Sequence, residues 1–219
     1  MQLTYIPMAT PSIMYPVVTN PCPNGICPSV SDRGTPQRRD SSASTSAASS
    51  AKLTFSPSAQ RRKQNLARFV QKSNGDPSVK AFAAKAGQLY PQMERMMGAI
   101  GLNANNVADT YALWWISAWD AAHGVTGTRP ASTYQAVKRQ AASAILGSSQ
   151  FRNATPALKQ EMAEALIAQT FFIDGSVEDA KNDPQKLRLV GAAVAKGARR
   201  MGVDLSAMKL TPAGFRSGK

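Results

Sequence analysis

The chain has 219 residues, 43% of them hydrophobic, and a formal net charge of +13 from 26 Lys+Arg against 13 Asp+Glu. That length and apolar share exclude a wholly disordered protein and favour one domain plus a tail. No stretch reaches the ~20 apolar residues that a membrane span requires.

Residues 1–56 read as a disordered tail and linker, and residues 57–219 as a helical domain. Proline recurs through the first stretch and discourages both helix and sheet. Ser41 to Ser50 is an almost pure Ser/Ala/Thr tract, a low-complexity linker. Cys22 and Cys27 both lie in this tail, flanking Pro-Asn-Gly-Ile. Asn-Gly favours a turn, so a small disulfide loop is feasible, with free thiols as the alternative. Two thiols do not make a structural zinc site. Met1 to Val18 lacks a basic start and is broken by Pro7, Pro11 and Pro16, so no clear signal peptide is read there.

Helix signals begin at Ser56, read as an N-cap with Pro57 in the first helical position. The apolar series Ala59, Leu66, Phe69 and Val70 follows, and Asn74-Gly75 stops it. Asp76-Pro77 opens a second helix through Val79, Phe82, Ala86 and Leu89. Pro91 is expected to break or restart it, and Met93, Met96, Met97 and Ile100 lead to Gly101 as C-cap. Asn103 or Asn105 opens a third helix that ends near His123-Gly124. It is apolar on almost every face, the mark of a helix in the middle of a bundle. Gly124-Val125-Thr126-Gly127 reads as a plain turn. Ser132 is expected to cap a fourth helix, Thr155-Pro156 a fifth with Gly175 as a kink point, and Asp183-Pro184 a sixth closed by Gly202. Leu205, Leu210 and Phe215 anchor the C-terminal segment on the bundle. No period-2 run indicates a strand. The fold class is all-α: an irregular bundle of about six helices.

Several strings in the helical part carry a resemblance. They are Phe55-Ser56-Pro57-Ser58, then Asn106-Val107-Ala108-Asp109-Thr110-Tyr111-Ala112-Leu113-Trp114-Trp115-Ile116-Ser117-Ala118-Trp119, then Lys159-Gln160-Glu161-Met162-Ala163-Glu164-Ala165-Leu166, and last Leu210-Thr211-Pro212-Ala213-Gly214-Phe215. Together they resemble a family of bacterial, mostly proteobacterial, domains of unknown function. The resemblance covers the helical part and none of the tail. It implies an all-α domain, commonly behind an export signal and so periplasmic or secreted, and carries no activity. A cytoplasmic protein is the alternative.

Candidate site residues each have two readings. Asn106, Trp114, Trp115 and Trp119 form an aromatic cluster on one helix, and aromatic faces bind sugars or bases by stacking. Buried indoles equally serve as core anchors. At roughly 100° per residue, Trp115 and Trp119 share a face with Tyr111, and Trp114 points elsewhere. Asp109, on an apolar helix, needs a partner or a shifted pKa; it pairs with Arg62 or Arg68, or it does chemistry. Glu161 and Glu164 share a helix face, and either that pair or Asp109 with Glu164 or Glu161 would divide acid and base roles in glycan cleavage. The same acids favour a helix N-terminus. Gln169, among Leu166, Phe171 and Phe172, reads as a buried hydrogen-bonder. Arg61, Arg62 and Lys63, with Arg199 and Arg200, would form an anionic-polymer face if the fold gathers them on one side. His123 is the only histidine, which excludes His-pair metal sites and disfavours triads. No phosphate-loop, dinucleotide or metalloprotease motif is present, and no cofactor or metal is indicated. The leading expectation is a non-catalytic helical module of the bacterial envelope, its partner an anionic envelope polymer or a protein. A glycan-cleaving enzyme and a nucleic-acid binder are the alternatives.

Overall fold

The computed structural model describes residues 51–148, 151 and 153–218. The expected Cys22–Cys27 loop and most of the expected tail lie outside these residues. Six α-helices of three or more turns follow one another: α1 (Ala59–Lys72), α2 (Pro77–Ala99), α3 (Val107–Ala122), α4 (Ala131–Gly147), α5 (Pro156–Ala180) and α6 (Pro184–Arg200). A 3-10 turn (Leu205–Ala207) leads into a hairpin of β1 (Met208–Thr211) and β2 (Gly214–Ser217). The described part is therefore mostly all-α.

Helix α3 is the axis of the bundle. It packs against α4, α5 and α6, and α1 lies outside on α2 and α5. Every residue from Val107 to Ile116 is buried. Trp114, Trp115 and Tyr111 are among the largest fully enclosed side chains, each removing on the order of 150–250 Å² from water. Gly191 of α6 allows the closest approach: a β-carbon there would stand 2.6 Å from the Ala121 carbonyl oxygen of α3.

Local chemistry explains most helix starts. Asp76, Thr155 and Asp183 each cap a helix whose first residue is proline; the side-chain oxygen takes an orphan N–H, and proline has none to satisfy. Three starts differ from expectation. Helix α1 is capped by Ser58, not Ser56, because Gln160 of α5 grips Ser58 through both its N–H (3.0 Å) and its carbonyl (2.8 Å). Helix α3 is capped by Asn106, whose Oδ1 accepts from Ala108 and Asp109. Asn103 instead accepts from the Asn105 N–H in a tight turn. Helix α4 starts after Pro130 with no side-chain cap, so Ser132 lies in its first turn. Pro91 does not break α2. The carbonyl it deprives belongs to Gly87, an exposed residue that water can serve. Helix α5 likewise runs uninterrupted past Gly175.

The hairpin has strands of four residues, too short to show a periodic pattern. It is antiparallel, with Leu210 opposite Phe215 and Thr211 opposite Gly214. Gln140 of α4 holds it at both polar atoms of Phe215, donating to the carbonyl at 2.7 Å and accepting from the N–H at 2.8 Å. The Phe215 ring stacks on Trp115 at 4.2 Å. Packing also begins earlier than Pro57: Leu53 and Phe55 are buried in the main core, and Thr54 bridges to Asn106.

Candidate functional site

The acids singled out in the sequence lie in two separate networks. Glu164 of α5, 4% exposed, accepts from Arg62 Nε at 2.9 Å, Asn65 Nδ2 at 2.6 Å and Gln160 Nε2 at 2.9 Å. Arg62 also reaches Glu94 at 3.1 Å and lies over the Tyr90 ring, 4.7 Å from its centre. Burial, with the nearby Glu164 carboxylate, keeps the Tyr90 hydroxyl protonated far above its ordinary range. Glu161 pairs with Arg68 at 3.1 Å. The hollow beside Glu161 and Glu164 holds about 30 Å³, room for water and far too small for a sugar ring.

Asp109 is fully buried and pairs with Lys138 of α4 at 2.9 Å, not with Arg62 or Arg68 as expected. Its Oδ2 also accepts from the Asn103 N–H at 2.7 Å, and its Oδ1 has no hydrogen-bond partner. Burial raises its pKa, opposed by the Asn103 bond and by Lys138. Asp109 and Glu164 therefore have no ion-pair partner in common, and Asn106 acts as a cap. Gln169 Oε1 is buried without a hydrogen-bond partner.

The tryptophans divide by depth. Trp114 and Trp115 are 0% exposed and have no open face for a ligand. Trp119 is half-buried; its Nε1 donates to the Met208 carbonyl at 3.0 Å. His123 stacks on its ring at 4.0 Å, and the Arg129 guanidinium lies 5.3 Å from it. Among the basic residues, Arg61 bonds Gln160 and the Ser56 carbonyl, and Arg62 is committed to Glu94 and Glu164. Lys63 is exposed. Arg199 and Arg200 end α6, which packs on α3, α5 and the 3-10 turn, whereas α1 packs on α2 and α5.

A much larger opening among the described residues contains none of these candidates. It is a groove of about 600 Å³ between the C-terminal halves of α2, α3 and α5, closed at one end by the loop around Val125 to Thr128. That loop is the segment read as a plain turn. Leu89, Met93, Met97, Leu113 and Phe171 form apolar walls. At the rim, Met96 is 56% and Val125 37% exposed, two of the three large hydrophobic side chains that face solvent among the described residues. Ser117, Asp120, Tyr134, Asp174 and Glu178 supply polar groups, and no lysine, arginine or histidine lines it.

The groove's carboxylates are not equivalent. Asp120 is held by Arg129 Nε at 2.9 Å to each oxygen, and burial nonetheless raises its pKa. Glu178 pairs with Lys181. Asp174 keeps solvent access, yet desolvation pushes its carboxyl up to about 6, with the neighbouring Ser117 hydroxyl opposing the rise and Asp120 adding to it. It has no ion-pair partner among the described residues. Gly175 lies beside it in the wall with nothing within 4 Å of the position a β-carbon would take. A pocket of this size with apolar walls and a few convergent polar groups fits a small ligand. The sequence carried one cue, Met93, Met96 and Met97 on one helix, since methionine is favoured at adaptable binding surfaces. The five segments that build the groove are too far apart in the chain to be joined by periodicity.

Among the described residues no helix is long and apolar enough to cross a membrane. No three His, Cys, Asp or Glu side chains of that set converge to hold a metal ion. A family model described as a family of unknown function (DUF6683) matches residues 25–217, reaching well ahead of the helical strings that first carried the resemblance. No curated protein and no solved structure matches the chain. With nearly nine-tenths of its length inside that one model, from Gly25 to Ser217, the chain belongs to the DUF6683 family of unknown function.

Proposed function

We propose that this protein is a non-catalytic helical binding module of the bacterial envelope, and that it takes its ligand in the groove between α2, α3 and α5. The observation that carries the reading is the groove itself: about 600 Å³ of open, methionine-lined space with carboxylates at its side. The acids proposed for glycan cleavage speak for structural roles. Glu164 has accepted hydrogen bonds from three side chains, Asp109 is bound to Lys138, and no sugar-sized cleft adjoins Glu161 and Glu164. Thioether and aliphatic walls also suit a polyhydroxylated substrate poorly. Nucleic-acid binding draws no support from Arg61 and Arg62, whose side chains are spent on internal bonds, nor from a groove without cations.

The test is methyl NMR on methionine-labelled protein, titrated with a mixed set of cationic, neutral and anionic small molecules. Shifts confined to Met93, Met96 and Met97, and lost in Gly175→Leu, are the expected result. Shifts on other methionines, or none from any class, contradict the groove assignment. The envelope placement comes from the family resemblance. Cell fractionation with mass spectrometry of the N-terminus tests it, and a cytoplasmic protein with an intact Met1 contradicts it.

A further inference from the structure

We infer that the groove takes a small organic cation, an ammonium or guanidinium group carried on an apolar body. The inference rests on the groove being the binding face and adds the chemistry of its occupant.

Charge is the first argument. A chain of net charge +13 presents a wall with three carboxylates and no cationic side chain. Two of the three are already matched from outside the wall, Asp120 by Arg129 and Glu178 by Lys181. Asp174 has no counter-ion among the described residues. Asp174 is exposed to the groove's own space, and a ligand cation seated there meets an unmatched opposite charge, an electrostatic complement that favours cationic over neutral ligands. The Ser117 hydroxyl lines the same wall.

The walls supply the second argument. Phe171 and Tyr134 present aromatic rings to the same space, and such rings attract organic cations as well as apolar carbon. Met93, Met96 and Met97 add polarizable, adaptable surface for the body of the ligand. A bare metal cation lacks a cage, since no three ligating side chains converge among the described residues. A volume of about 600 Å³ accepts one small molecule. An extended peptide is disfavoured because three walls are helices whose backbone groups are bonded internally, leaving no strand edge to pair with.

The experiment is isothermal titration of the full chain with three matched probes: 4-phenylbutylammonium, 4-phenylbutanol and 4-phenylbutyrate. The ammonium is expected to bind at least about tenfold tighter than the alcohol, and the carboxylate most weakly. Asp174→Asn is expected to erase the preference for the ammonium while leaving the alcohol's affinity within about twofold. Gly175→Leu sets its β-carbon where nothing lies within 4 Å, extends a side chain from the groove wall and is expected to abolish binding of all three, with thermal melts confirming that both variants fold. Equal binding of the three probes that Gly175→Leu abolishes overturns the cation inference and leaves the groove as the site. Binding that survives Gly175→Leu overturns both. A preference that persists in Asp174→Asn, or a lysine-containing tripeptide that binds more tightly than the ammonium, also overturns the inference.

Discussion

Glu164 and Asp174 stand on the same helix and are treated in opposite ways. Glu164 is sealed between α1, α2 and α5, and each of its oxygens accepts from a neighbour. Asp174 looks into an open groove with Ser117 beside it, another acid nearby and no cation. The first arrangement holds helices together: Arg62, Asn65 and Gln160 converge on one carboxylate, so α1, which has no fully buried residue of its own, is fastened by polar bonds. The second contributes nothing comparable to the fold. A charge that the fold leaves unmatched, in space that the fold leaves open, is better explained by something that arrives from outside.

The largest effect that can break this comparison is at Glu164. Glu164→Ala removes the shared acceptor of three donors and is expected to cost about 3 kcal/mol, the range for breaking a buried ion pair, read by urea denaturation. A change below about 1 kcal/mol would mean that Arg62 and Asn65 need no partner there. The glycines sharpen the same contrast. Gly191→Ala drives a methyl against the Ala121 carbonyl at 2.6 Å and is expected to cost about 1–3 kcal/mol. Gly175→Ala meets nothing within 4 Å and is expected to stabilise by up to about 1 kcal/mol, because alanine favours helix over glycine. Thermal melts of the two variants, moving in opposite directions, check both.

The smallest effect is the pH dependence from Asp174. Its folded-state pKa of about 6 lies above the unfolded value of about 3.9. Its contribution to stability is therefore complete below about pH 4 and is lost as the pH rises through about 6. The charged and titratable groups that face it are Asp120 on α3, Tyr134 on α4 and Glu178 on α5, with Arg129 acting through Asp120; the α2 wall supplies Gln92 and methionines, none of which titrates. Solvent access screens the effect to under about 1 kcal/mol. Asp174→Asn should flatten the stability profile between about pH 4 and 6, measured by chemical denaturation across that range.

What could be read from the sequence follows from the range of the interactions. Asp76-Pro77, Thr155-Pro156 and Asp183-Pro184 are complete cap signals within two residues, and each opens a helix where expected. The apolar faces of α3 marked it as central, and it is. Ser56 carries the local cap signal, but Gln160, a residue far along the chain, decides for Ser58. The partner of Asp109 was missed for the same reason: Lys138 comes from α4 and shows no local pairing pattern. The hairpin escaped because four-residue strands with a proline-containing turn leave too few positions for a period. The groove escaped most completely. Met93, Asp174 and Val125 become neighbours only after three helices and a loop have packed, and an acid such as Asp174 looks in sequence like any solvated surface charge.

The most direct measurement of the central claim is chemical denaturation of Glu164→Gln and Asp174→Asn side by side at pH 7. Each neutralises one carboxylate with almost no change of shape. The account requires opposite outcomes, with Glu164→Gln clearly less stable than the parent and Asp174→Asn equal to it or slightly more stable. If Asp174→Asn loses as much stability as Glu164→Gln, Asp174 is a structural charge like its neighbour on α5, and the groove has lost its reason to bind a cation.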